Sequence, residues 1–174
     1  SPSKVAPQTP ASVSSPSISL PSRYQQLEQF LEVGQWKEAD EETFRIMLNM
    51  GDRGKEGWLN DSSIDNFPCD DLRIMDQLWS KYSDGKFGFS VQKKIYKSLG
   101  GTRDYNPEIW ATFGEQVGWK KGGHWLYYKE LTFSTSAPRG HLPSIYPTKK
   151  DGKYRGDARR GVSVLISRLE VCNI

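Results

Sequence analysis

Long apolar runs are absent from this 174-residue chain. No stretch approaches the ~18–20 apolar residues that a membrane-crossing helix needs, so no such span is expected. Cysteine is scarce. Cys69 and Cys172 lie 103 residues apart, which excludes a disulfide scaffold and a zinc ribbon. Histidine occurs twice, at His124 and His141, too rarely for a histidine-rich metal site. The common catalytic signatures are missing too: there is no Walker loop, no G-x-G-x-x-G after a strand, no G-x-S-x-G elbow and no H-E-x-x-H. Gly85-Lys-Phe-Gly88 resembles a glycine loop, but it joins two predicted helices and reads as a turn. Asp70-Asp71 reads as helix capping, and no motif supports a Cys69 dyad with His124 or His141. These absences favour a binding protein over an enzyme.

Acidic residues are missing from the first 22 positions, which hold eight Ser and five Pro. Such a stretch cannot bury enough apolar surface to offset ~1–2 kcal/mol of backbone entropy per residue. Residues 1–22 are therefore expected to be a disordered linker or the remnant of a transit peptide, with residues 23–174 as one folded domain. All six Trp, seven Phe and eight Tyr fall in that second part.

The net charge of +3 hides a polarity. Residues 36–76 carry eleven acids and five bases, whereas Arg139 to Arg160 carries seven bases and two acids. A basic C-terminal segment suggests an anionic partner. Nucleic acid is one alternative for the 139–160 segment, although a nucleic-acid-binding domain usually has a pI above ~9 and this chain's is 8.8.

Periodicity predicts an all-α fold of six or seven helices with at most a token strand. Tyr24, Leu27, Phe30 and Leu31 recur at helical spacing over 23–33, and Gly34 ends that helix. A stronger helix runs from Trp36 to Met50, with Glu38, Glu41, Glu42 and Arg45 mostly on its outer face. The two form an αα-hairpin. Ser62 or Ser63 can cap a short turn around Ile64, and Asp70 or Asp71 a helix over 72–82. Further helices are predicted over 90–99, over 108–117 behind Pro107, and over 158–171. Residues 125–128 read as a short strand or extended segment. Met47, Met50 and Met75 read as core. The stretch 138–157 is a long basic, proline-broken loop, a kind usually functional or disordered.

Two features suggest a ligand. One is a set of aromatics flanking turns: Phe87, Phe89, Tyr105, Trp119, Trp125 and Tyr127. The other is the basic loop, with Leu142, Ile145, Tyr146 and Tyr154 among its bases. Apolar walls with convergent cations suit a flat, apolar, anionic molecule, since Arg can grip a carboxylate with two donors or stack on a π face.

Several strings resemble one family. Trp36-Lys-Glu-Ala-Asp40, Gly57-Trp58-Leu59, Phe67-Pro-Cys-Asp-Asp-Leu72, Asp76-Gln-Leu-Trp79, Phe87-Gly-Phe-Ser-Val-Gln92 and Gly118-Trp119 are similar to the genomes-uncoupled family of porphyrin-binding proteins, activators of magnesium chelatase in chlorophyll biosynthesis. The resemblance covers about residues 24–174. It implies an all-helical domain shaped like a cupped hand, whose concave face takes protoporphyrin IX and magnesium protoporphyrin IX. It implies no catalytic cofactor and no reaction catalysed alone. The expected partner is the large porphyrin-binding subunit of the chelatase, with a further part in plastid-to-nucleus signalling. The expected location is the chloroplast stroma, with peripheral association of the basic loop with anionic lipid left open and nucleic acid disfavoured. Carried onto this chain, the porphyrin site would comprise Phe87, Phe89, Arg139, Leu142, Ile145, Tyr146, Arg155, Arg159, Arg160, Val164 and Arg168. No metal-ligating residue is expected, because magnesium keeps water and oxygen ligands.

Overall fold

The computed structural model describes residues 1–7, 19–144 and 158–174. Among them are seven α-helices and one minimal β-ribbon, in the order α1 (Gln25–Glu32), α2 (Trp36–Met50), α3 (Asp61–Asp65), α4 (Cys69–Tyr82), α5 (Phe89–Ser98), α6 (Pro107–Gln116), β1 (Lys120–Lys121), β2 (His124–Trp125) and α7 (Ala158–Val171). The all-α expectation holds. A 3₁₀ turn, Ser22–Tyr24, leads into α1. Leu20 already packs against the core.

Gly34, at φ 73°, turns the chain from α1 into α2, and the Gln35 N–H closes on the Phe30 carbonyl at 2.8 Å. The predicted stripe of α2 is buried, from Trp36 and Ala39 to Ile46 and Met47. Glu42 departs from the expected outer face. It is buried because Arg45 Nε donates to its carboxylate at 2.8 Å.

Caps also differ from expectation. Asn60 starts α3: its Oδ1 accepts from the Ser63 N–H at 2.8 Å, and Ser63 Oγ accepts from the Asn60 N–H at 2.9 Å. α4 begins at Cys69 behind Pro68, so Asp71 lies inside the first turn rather than capping it. The Asp71 carboxylate instead takes the Arg23 guanidinium at 2.6 Å and the Tyr24 hydroxyl, joining the start of the fold to α4. Burial and this partner push the Tyr24 hydroxyl pKa far up.

The core has two parts. In the main part Phe87 meets two tryptophans edge to face, Trp36 at 5.6 Å and 80° and Trp79 at 6.3 Å and 72°. The Trp79 indole N–H donates to Thr43 Oγ1 at 2.9 Å, so its one polar atom is satisfied. The second part gathers Tyr96, Trp110, Phe113, Val117, Trp119 and Leu131. Trp125 stacks on Trp110 at 4.8 Å and lies so close to Gly114 that a Cβ there would meet the ring at 2.3 Å. α7 serves both parts: Val164, Leu165 and Leu169 enter the main one, Val162 and Ile166 the second.

The cysteines correct the sequence reading. Cys69 and Cys172 are bonded, with Cα atoms 5.3 Å apart. Their distance along the chain argues against any such scaffold, but α7 runs back to the start of α4 and brings the two sulfurs together. The bond also removes the Cys69 thiol as a partner for either histidine.

Candidate functional site

Pro138 to Ser144 leads directly into residues 145–157, and it is fixed to four parts of the fold. The Gly140 N–H donates to the Lys86 carbonyl at 2.9 Å, and the Gly88 N–H donates to the Leu142 carbonyl at 3.0 Å. Gln92, on the inner face of α5, donates its amide to the Gly140 carbonyl at 3.0 Å and the Pro143 carbonyl at 2.7 Å. The Trp119 indole donates to the His141 carbonyl at 2.8 Å. Asp40, on α2, accepts from both the N–H and the hydroxyl of Ser144, each at 2.6 Å. The peptide bond before Pro143 is cis. A stretch expected to be a loop is thus, in its first part, as well held as a helix.

Two buried titratable groups belong to this anchorage. Asp40 also accepts from the Tyr128 hydroxyl at 2.8 Å, yet burial outweighs its three donors and pushes its carboxyl pKa up to about 6. Burial beside this carboxylate raises the Tyr128 hydroxyl far above its usual range. His141 faces the Val117 carbonyl through Nδ1 at 2.6 Å, while its Nε2 faces the Thr132 N–H at 3.0 Å. A carbonyl only accepts and an N–H only donates, so the ring is neutral with its proton on Nδ1. Burial lowers its pKa accordingly.

The structure brings together four of the residues expected at the porphyrin site, but inside the molecule. Phe87, Phe89, Leu142 and Val164 all lie in the main core, and Phe89 is 1% exposed. Neither phenylalanine ring presents a face to solvent. Phe87 fills the notch between Trp36 and Trp79, and Phe89, as the first residue of α5, points into the same interior. The other turn-flanking aromatics divide between the second core, where Trp119 and Trp125 both pack on Trp110, and the surface. Trp119 is buried in the second core, Trp125 is half-buried, and Tyr105 and Tyr127 are exposed.

Of the arginines, Arg139 is exposed on the anchored loop. Arg168 is half-buried on α7 and donates through Nε to the Phe67 carbonyl at 2.9 Å. Ile145, Tyr146 and Arg155 lie outside the described residues, as does most of the 139–160 segment considered for nucleic acid. Arg159 and Arg160 occupy the first turn of α7, which the structure describes as backbone. Sequence reasoning named Asp40, Gln92 and His141 but not their anchoring roles. The partners that give Asp40 and Gln92 those roles lie 104 and 48 residues away along the chain, so no local pattern shows the pairing. Among the described residues no helix is long and apolar enough to cross a membrane.

This architecture has known relatives. The GUN4-like family matches residues 18–151. A Ycf53-like protein of Synechocystis is 32% identical over 125 residues, 70% of this chain and 51% of that protein. A protein of Arabidopsis thaliana named "Tetrapyrrole-binding protein, chloroplastic" is 32% identical over 129 residues, 67% of this chain and 46% of that one. The chain thus spans about half the length of the curated relatives it matches. The ligand-free structure of Arabidopsis thaliana GUN4 superposes with a TM-score of 0.64 at 27% identity, covering 85% of this chain and 91% of that one. GUN4 from Chlamydomonas reinhardtii shares the fold, with a TM-score of 0.64 at 24% identity over 94% of this chain and 95% of the other. The fold agrees with these structures and the family match spans most of the sequence, so the chain belongs to the GUN4-like family.

Proposed function

We propose that this chain is a non-catalytic tetrapyrrole-binding regulator of plastids, which takes protoporphyrin IX and magnesium protoporphyrin IX and stimulates magnesium chelatase. The reading is carried by the likeness, over 67% of the chain, to an Arabidopsis protein named for tetrapyrrole binding in the chloroplast. The anchored loop at 138–144 supports it physically. It holds exposed Arg139 on backbone that is fixed by hydrogen bonds to the rest of the fold, and a preorganised cation loses less freedom when it meets an anion.

In this reading the propionates of the macrocycle are met by guanidinium groups among Arg139, Arg155, Arg159, Arg160 and Arg168. Ile145 and Tyr146 come next after the anchored loop in sequence and cover the disc. Phe87, Phe89, Leu142 and Val164 form the packed floor beneath it rather than the contact surface. Covering half of one face, some ~100–150 Å², contributes roughly 3 kcal/mol, and the charged hydrogen bonds add to it. The partner is the large porphyrin-binding subunit of the chelatase, and the same ligand-loaded protein takes part in plastid-to-nucleus signalling.

The test is reconstituted magnesium chelatase with limiting protoporphyrin IX. Added chain should raise the rate of magnesium protoporphyrin formation, and an Arg139→Ala chain should raise it less. A rate unchanged at saturating chain would remove the chelatase part of the reading.

A further inference from the structure

α7 is held at one end by covalent chemistry. The Cys69–Cys172 bond fastens its C-terminal side to the first residue of α4, while its first turn comes directly after residues 145–157. Because α7 packs into both parts of the core, its seating couples them. Cys172 is buried, but Cys69 is only half-buried and stands where the free N–H groups of a 14-residue helix favour a thiolate. The two acids of that turn are both engaged, Asp71 by Arg23 at 2.6 Å and Asp70 by Arg73 at 3.0 Å.

The fold also holds the C-terminal end without the bond. Arg73 Nη2 donates to the Cys172 carbonyl at 2.8 Å, Lys97 pairs with Glu170 at 2.7 Å, and Lys93 Nζ donates to the Ile174 carbonyl. Leu169 keeps its place in the main core, and the Ile174 N–H closes on its carbonyl at 3.0 Å. These contacts keep the sulfurs in register once separated, so the bond can close again.

We propose that Cys69–Cys172 is a reversible redox-modification site, opened by a protein dithiol and closed by a protein disulfide, that sets how firmly α7 is seated and thereby the affinity of the adjoining site. The affinity consequence rests on the tetrapyrrole reading above. In the opening step a thiolate of the dithiol attacks Cys69 Sγ, the bond between the two cysteines breaks, and Cys172 leaves as a thiolate that takes up a proton. The second thiol of the reductant loses its proton and attacks its own sulfur in the mixed disulfide, releasing Cys69 as a thiolate that is protonated in turn. Two electrons and two protons pass to the cysteine pair, and the dithiol becomes a disulfide.

The experiment uses the full chain, oxidised and then treated with dithiothreitol without denaturant. Alkylation and mass measurement count free thiols, hydrogen exchange tracks residues 158–171, and protoporphyrin IX titration reads affinity. The expected result is two thiols after treatment and none before, unchanged helical circular dichroism, and exchange at α7 faster by roughly fivefold. Affinity for protoporphyrin IX should shift by roughly fivefold or more. A chain carrying Cys69→Ser with Cys172→Ser should behave as the reduced form in either condition. A bond that dithiothreitol opens only when denaturant is present during the reduction, with thiols counted by alkylation in denaturant after the reductant is removed, would overturn the proposal. Equal exchange at α7 in both states would do so too, as would porphyrin binding of equal strength in both. If the oxidised chain takes up no porphyrin at all, the tetrapyrrole reading fails, and the thiol count and exchange still decide whether the bond is a switch.

Discussion

Asp40 and Ser144 stand 104 residues apart and are joined by two hydrogen bonds of 2.6 Å, one from the amide and one from the hydroxyl. The pair ties the second helix to the root of the basic segment. Asp40→Ala would strand the Ser144 N–H, the Ser144 hydroxyl and the Tyr128 hydroxyl in a buried place. The expected cost is about 3 kcal/mol, read as a lower urea midpoint. Ser144→Ala removes one donor and should cost about 1 kcal/mol.

Acidity should act on the two buried groups in opposite senses. The Asp40 carboxyl has a folded pKa of about 6 against an ordinary 3.8, so between those values the folded chain holds a proton that the unfolded chain has lost. Its contribution to stability therefore falls as pH rises from about 4 to about 6 and is gone above that. His141 is lowered from 6.5, so on acidification the unfolded chain takes the proton first. Its contribution is complete at neutral pH and declines as pH drops below about 6.5. Urea unfolding across pH 4 to 8 should show Asp40→Asn abolishing the first slope and His141→Gln the second.

Phe89→Ala and Arg139→Ala separate packing from ligand contact. Phe89 is buried in the main core, so its truncation should lower stability by about 3–5 kcal/mol before any ligand is considered. Arg139 is exposed, and its truncation should leave stability within about 0.5 kcal/mol. Loss of a charged hydrogen bond to a propionate should weaken porphyrin binding by roughly tenfold or more. Thermal melts and porphyrin titrations on the same samples check both.

Gly88 sits at φ 128°, and a Cβ there would lie 2.8 Å from the Asp76 carboxylate that accepts from the Ser90 N–H at 2.8 Å. Gly88→Ala should cost about 3 kcal/mol through backbone strain and the displaced cap. Hydrogen exchange at the start of α5 should accelerate with it.

The helices were largely legible in the sequence because their signals are local. The stripe from Trp36 to Met50, the run from Ala158 to Val171 and Pro107 at a helix start each sit within a few residues of the element they specify. Long-range pairings were not legible. Asp40 reads as one more acid of an amphipathic helix until Tyr128 and Ser144 arrive from 88 and 104 residues away. The disulfide was hidden for the same reason. Phe87 and Phe89 show a different limit, since an apolar ring looks the same whether it will line a pocket or fill a core. Their burial was decided by Trp36, Trp79 and Leu142, on other elements.

The most direct test of the account is a titration of the full chain with protoporphyrin IX, monitored by the Soret band and by quenching of its tryptophans. Saturable one-to-one binding in the micromolar range or tighter, weakened in Arg139→Ala, is the predicted result. A folded sample that leaves the Soret band and tryptophan emission unchanged at tens of micromolar porphyrin would contradict it.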